Sequence, residues 1–498
     1  VDSNRVRVAT TIEATLGTTP GSARMRTARI TGESLRYTPS FFQPAELRSD
    51  RMNQAPSKQN ESVSGGVNFE FSFPTDATFL SDMIRSAMYS TWVLTPQHFN
   101  DGTADSVITD YQSGTGVYTV VDQSGSGGFA GTAYKVGHLV QASGFTASNN
   151  NRIARVSAST ATSVTVATGG TTDTAPAAAA MLKVVGFRGA TGDITASSTG
   201  LASTALDFTT LGLAVGQWIK IGGTAAGEQF ATAALNGWAR ITAIAATALT
   251  LDHRPAGWTT DAGTGKTISV WFGDYIRNGT TRTSFSIEKA FLGQATPTYI
   301  IHRGMVVDRF SLQAITDQAI TGSAEFMGLT GAAGTSAYGT TYDAATTETV
   351  LTGNASVGQI TVGGSSMASP NWARQLDIQI QNNVRMINAL GNIGAVELGV
   401  GEMAMTGTLA TYFGGLSYLT DLFAAGQTTI TSRAQTTRTA GTSGKAVVKT
   451  IPQATFTGGA PNAQGKNQDV LLSLPFSASI DSATNCQMQW DRLPYFEQ

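Results

Sequence analysis

The chain has 498 residues, 41% of them hydrophobic and only 13% charged, with a formal net charge of −2. That length supports about two to four domains with real cores, and a balance so close to neutral supplies no clustered Lys/Arg excess for gripping nucleic acid. Cys486 is the single cysteine, which excludes an intrachain disulfide and a thiolate metal cluster.

No run reaches the ~20 apolar residues of a membrane helix, and residues 1–20 lack the apolar core of a signal peptide. The expected product is a soluble protein, made in a cytoplasm, without cofactors. Its low charge and its wealth of Gly, Ala, Ser and Thr fit a structural chain that buries surface in assemblies.

The N-terminal arm, 1–27, breaks at Gly17-Thr18-Thr19-Pro20. A strand is expected near Arg29–Leu35, followed by a long charged loop over 41–64 carrying Glu46, Arg48, Asp50, Arg51, Lys58 and Glu61. Val67, Phe69, Phe71 and Phe73 then alternate with polar or small residues, as in a half-buried strand. A short amphipathic helix follows at Phe79-Leu80-Ser81-Asp82-Met83-Ile84.

That strand–helix signal returns far downstream. Met403, Met405, Gly407 and Leu409 alternate, and Tyr418-Leu419-Thr420-Asp421-Leu422-Phe423 repeats the pattern of aromatic, Leu, hydroxyl, Asp and two apolar residues. Asp82 and Asp421 thus occupy equivalent positions. Each is expected to cap or order its helix or to pair locally.

Between the two copies, 93–276 carries a second repeat. Val136-Gly137-His138-Leu139-Val140 matches Val215-Gly216-Gln217-Trp218-Ile219, and the string from Arg155 to Val166 aligns without a gap to that from Arg240 to Leu251. Two small all-β modules are expected, 93–190 and 191–276, each a compact barrel or sandwich. Trp218 and Trp238 are expected to fill the core of the second. The modules form an insertion that projects outward from the first copy, which comprises 1–92 plus 277–328. A Gly/Ala/Ser/Thr-rich linker, 329–370, leads to the second copy, 371–498, opened by the period-2 strand Leu376–Ile380. The fold class is mainly β: a tandem duplicated unit of β-sandwich or half-barrel type with a flanking helix in each copy, plus the two inserted all-β modules.

Chemistry finds little foothold. Gly364-Ser365-Ser366-Met367-Ala368-Ser369-Pro370 resembles the nucleophile segment of subtilisin-like serine proteases. The four histidines, His98, His138, His253 and His302, lack that family's motif setting and any metal-ligand spacing. They are expected as ordinary surface or interface residues. A serine hydrolase acting through Ser366 is the remote alternative.

The strings Glu13–Pro20, Arg29–Leu35, Glu46–Arg51, Gly66–Phe71, Ser284–Phe291 and Thr321–Gly328 together resemble the tail tube, or major tail, proteins of long-tailed bacteriophages (siphoviruses). The resemblance spans about 10–92 and 283–328, and Gly465–Val470 adds to it in the second copy. It implies a non-enzymatic virion protein, synthesised in the host bacterial cytoplasm, with an N-terminal arm and a stacking loop. Its subunits would form rings stacked into a hollow conduit for DNA around a tape-measure protein, with tail terminator and distal tail proteins at the ends. Two units per chain imply a trimeric ring of pseudo-sixfold symmetry. A capsid-decorating, baseplate or surface-layer protein is the alternative within the structural class.

Overall fold

The computed structural model describes residues 3–100, 106–122, 133–463 and 465–498. Its principal elements are β1 (Val6–Ile12), β2 (Arg36–Phe42), β3 (Ser57–Glu70), α1 (Phe79–Ala87), β4 (Phe285–Phe291), β5 (Thr298–Ile315), β6 (Thr321–Gly328), β7 (Thr330–Gly334), β8 (Val357–Val362), β9 (Ala373–Gln381), β10 (Ala404–Tyr412), α2 (Ser417–Ala424), β11 (Gln427–Gln435), β12 (Ser443–Phe456), β13 (Leu471–Ala478) and β14 (Gln489–Glu497). The protein is mainly β.

Period-2 patterning explains the strands. In β9, Leu376, Ile378 and Ile380 are buried, while Gln375, Asp377 and Gln379 look the other way. Val67 and Phe69 in β3, Phe310 and Leu312 in β5, and Leu472, Leu474 and Phe476 in β13 join the same core. Each such side chain contributes about 1.5–3 kcal/mol by burial, and a one-residue slip in register would turn the set to solvent.

The duplication is legible strand by strand. In the first unit β1 pairs β4, β4 pairs β5, β5 pairs β6 and β7, and β6 returns to β3. In the second, β8 pairs β11, β11 pairs β12, β12 pairs β13 and β14, and β13 returns to β10. The helix follows β3 in one unit and β10 in the other. The registers correspond too. Thr321 faces Glu70 as Leu471 faces Tyr412, and Gln313 faces Thr321 as Asn462 faces Leu471.

Two stretches differ from their sequence-based expectation. The two ends of 41–64 are ladder rather than loop: β2 and β3 form a long hairpin, and 43–56 is the expected connection. Its polar residues lie on both faces, so no hydrophobic alternation announces the strand. The stretch 329–370 carries β7, the strand Thr341–Asp343 and β8, all paired to other strands. Small residues there allow close sheet packing as readily as a flexible connection.

The inserted strands, Gln97–Phe99 through Ser269–Trp271, form a separate sheet. Its internal repeat holds in three dimensions. The Gly137 N–H bonds Val156 O and the Gly216 N–H bonds Ile241 O; both glycines have positive φ. The side chains of Asn151 and Asn236 each clamp the backbone of a phenylalanine six residues earlier, Phe145 and Phe230. The two repeats nevertheless do not form independent barrels. Gly186–Arg188 pairs with Ser269–Trp271, and both repeats fill one hydrophobic core.

Trp218 and Trp238 lie outside that core. With Trp271 they pack on Ala446, Val448, Leu493 and Phe496, in a seam between the insert and strands β12 and β14. An indole needs a partner for its N–H when buried, and the seam offers one to Trp218, whose Nε1 donates to Thr450 Oγ1 at 2.8 Å.

The insert is also bolted at its stems. Val93 and Tyr275, at entry and exit, exchange backbone hydrogen bonds. Beside them Asp274 accepts from Lys183 Nζ at 2.9 Å, from the Thr95 N–H at 2.8 Å and from Arg492 Nε at 2.8 Å. Arg492, 1% exposed, also donates to Pro74 O, Ser81 Oγ and Asp76 Oδ1, and lies over the Trp92 ring. One guanidinium thus ties β14, the approach to α1 and the insert stems together. Replacing Asp274 by Ala strands buried Lys183 and leaves Arg492 with Asp76 alone, which costs about 3–5 kcal/mol. The full chain should then show a lowered denaturation midpoint and new protease cleavage near 93–97 and 272–276; an unchanged midpoint would remove the bolt from the account.

Candidate functional site

The strongest surface feature runs across both units. β5 is long enough to serve two sheets. Its first half pairs β4 and β7; its second half, Arg309–Ile315, pairs β6 on one side and β9 of the second unit on the other. A continuous path of strands results, in the order β2, β3, β6, β5, β9, β10, β13, β12. Each unit contributes four.

One face of this path is core. The other is an open polar groove of ≈ 900 Å³. Along a single register level stand Asn68, Ser323, Ser311, Gln379, Thr406 and Ser477. The Ser311 and Ser323 hydroxyls hydrogen-bond at 2.8 Å. From β2 to β13 the charged groups on this face are Glu70, Glu325 and Asp377 against Arg36 and Arg309, and Arg309 lies 3.6 Å from Glu325. The face is therefore hydroxyl- and amide-rich and slightly acidic, with no basic stripe.

The path ends in unpaired edges. Gly32–Glu33 and β2 pair only with β3, and Pro461–Asn462, which continues β12, pairs only with β13, among the described residues. Such edges invite another chain.

The residues read as a stacking loop lie on or beside the β2–β3 hairpin. Arg48 pairs with Asp50 at 2.5 Å, and the Arg48 bond holds the Asp50 carboxyl below its usual range. Gln54 donates to Glu46 at 3.3 Å, and Arg51 adopts a positive φ. Lys58 pairs with Glu61 at 2.5 Å; Glu61 also accepts from Tyr37 and Thr330. The charges are thus largely partnered within the hairpin. What remains open is apolar: Phe41, Phe42, Met52 and Leu47 are exposed. The counterpart in the second unit, the hairpin of Arg385–Asn388 with Ala395–Gly399, exposes Ile387, Leu390, Ile393 and Val396. The sequence signal for this surface is a set of isolated apolar residues in a polar loop.

The two helices differ in cover. Nearly all of α1 is buried, and Asp82 forms an ion pair with Arg26 rather than capping its helix. Burial pushes the Asp82 pKa up, against the opposing pull of Arg26. None of α2 is buried, and Leu416 and Phe423 are exposed.

Ser366 lies in a two-residue exposed strand paired with β8, not at a helix start where the protease resemblance would need it. The histidines turn inward instead of facing solvent. His98, His138 and His302 are buried, and His253 has a side chain 7% exposed. Burial lowers the pKa of His138 and of His302 to about 4. No group of residues suited to a metal ion occurs among the described residues, and no helix there is long and apolar enough to cross a membrane.

No curated protein matches the chain. A family model described as phage tail tube protein matches it twice, over residues 3–250 and 245–478. Two matches accord with two units, although their boundary falls within the insert and β4–β6 of the first unit lie in the second match; together they take in both open edges and the polar groove. The chain belongs to the phage tail tube protein family, the structural proteins of the virion tail that self-assemble into its tube.

Proposed function

We propose that this chain builds the tube of a long-tailed phage as trimeric rings, each with six quasi-equivalent units around the bore. The observation that carries this is the β5–β9 pairing, which joins two copies of one unit edge to edge inside a single chain. The same junction, repeated between chains, satisfies both open edges. Strand correspondence specifies it: Ser311 and Gln379, opposite one another inside the chain, correspond to Ala460 and Arg36 at the free edges. Three copies of the strand path would then close a barrel without edges. The bare apolar surface of α2 supplies further area for a neighbour.

In this reading the polar groove faces the bore. A slightly acidic, hydroxyl-lined wall gives DNA no phosphate contacts to pay counterions into, so passage stays free of sticking. The insert contacts the first half of β12, β14 and the approach to α1, whereas β12 joins the groove path through its last residues, which favours a position on the outer wall. A tape-measure protein inside, and terminator and distal tail proteins at the ends, follow from the family's architecture.

Arg36→Cys with Ala460→Cys should, on oxidation, give a covalent ladder that stops at the trimer, since native Cys486 is buried. A ladder running to six chains, or none in assembled tubes, would contradict the junction.

The hairpin loop is assigned to ring stacking, with its exposed Phe41, Phe42, Leu47 and Met52 driving contact and Glu46, Arg48, Asp50, Arg51, Lys58 and Glu61 setting specificity. Each buried apolar residue is worth about 1.5–3 kcal/mol. Replacing 44–55 by a short turn should leave folded protein that forms rings but no tubes by electron microscopy. Tubes of normal length would sink the stacking role.

A further inference from the structure

Equivalent helices in the two units meet unequal surroundings. All of α1 except Arg85 is buried, and none of α2 is. Part of the cover on α1 comes from the second unit. Arg492 Nη1 of β14 donates to Ser81 Oγ at 2.8 Å, and Asn382 Nδ2, just past β9, donates to Ala87 O at 3.1 Å. Trp490 of β14 reaches into the first unit, its ring 6.1 Å from that of Phe71 and 6.2 Å from that of Phe310. The chain has no third unit to cover α2 in the same way. Leu416, at the N-cap, is 67% exposed and Phe423 is 83% exposed. With Leu419 they fall on one stripe of the helix.

Strand registers identify the surface that corresponds to β14. Phe285 faces Met305 and Ile287 faces His302, across a bulge in β5; Thr428 faces Ala454 and Ile430 faces Ile451, across the same bulge in β12. β5 therefore matches β12 with Ile300 in the place of Lys449. Ile300 faces Ala333 on β7, and Lys449 faces Trp490 on β14. Ala333 thus takes the place of Trp490. On the receiving side, the Phe71 N–H donates to Ile320 O and the Phe413 N–H to Val470 O, so Phe413 takes the place of Phe71. Ala333 is exposed, and Ile300 and Phe413 are partly so.

We propose that α2 docks on β7 of the neighbouring chain's first unit, with Ala333 and Ile300 of that chain against Phe413 and Phe423. The inference rests on the trimeric-ring reading and adds a second contact to each junction, apart from the strand pairing. The side-chain volumes compensate. Inside the chain the sheet supplies Trp490 and the helix supplies Ile84, both fully buried. Between chains the sheet supplies Ala333 and the helix supplies Phe423, which matches Ile84 when Asp421 is set on Asp82. A slimmer sheet meeting a bulkier helix keeps the packing close. The charges agree as well. Thr335 stands in the place of Arg492 and Thr420 in that of Ser81, so burying this contact strands no guanidinium.

The test is a double-mutant cycle on assembly of the full-length chain, read by light scattering and electron microscopy. Phe423→Asp should raise the protein concentration needed for tubes at least tenfold and leave the thermal midpoint of the unassembled chain unchanged, because the residue is exposed there. Ala333→Trp, also at an exposed position, sets a second large side chain against Phe423 and should impair assembly as much. Ala333→Trp combined with Phe423→Ile copies the internal pair and should assemble within threefold of the unmodified chain. A photo-crosslinker at position 423 should join 298–303 or 330–337 of a different chain in assembled tubes. Normal assembly of folded Phe423→Asp, no recovery in the combined variant, or crosslinks elsewhere would overturn the contact. The Arg36–Ala460 ladder separates the two proposals: a ladder that stops at the trimer, alongside any of these failures, removes the α2 contact alone, whereas one that runs to six chains removes the ring.

Discussion

A sheet edge is a row of backbone donors and acceptors that must find partners or remain in water. In this chain one such edge, the second half of β5, is filled by β9 from the same polypeptide. That pairing places two units side by side, continues one polar face across both, and merges their cores. It leaves one open edge at each end of the path. The geometry of the tube follows from how those two ends are satisfied, and covalent linkage halves the number of junctions that must form between separate chains.

The insert adds a second constraint. It is no loose appendage. Trp218, Trp238 and Trp271 cover apolar side chains of β12 and β14, and the cluster of Lys183, Asp274, Asp76 and Arg492 fixes its stems. A thinner tube made by excising 93–276, which outward projection alone would suggest, now looks unfavourable on physical grounds. Excision exposes Val448, Leu493 and Phe496 and leaves Arg492 buried without Asp274.

Sequence patterning carried the broad architecture because the signals were local. The strand–helix repeat around Asp82 and Asp421, the Arg155 and Arg240 strings, and the alternation at Leu376–Ile380 each report one side of one element. Where partners came from far along the chain, the reading failed. Trp218 meets Thr450 across more than two hundred residues, and nothing near it distinguishes a seam from a core. The polar ladder of β3 and the small-residue strands of 329–370 carry no hydrophobic period, so pairing rather than pattern makes them strands. The cavity lined by Trp218 and His253 of the insert and Arg433 of the second unit was likewise invisible, since its residues lie on separate segments. Ser365 and Ser366, singled out for a protease likeness, line the same cavity from the side facing His253.

The central claim is that one chain supplies two of six quasi-equivalent units to each ring. End-on cryo-electron microscopy averages of assembled tubes, taken without imposed symmetry, test it most directly. The account predicts three inserted regions around each ring, with six near-identical lobes around the bore. A ring of six full-length chains, with six inserted regions, would contradict it.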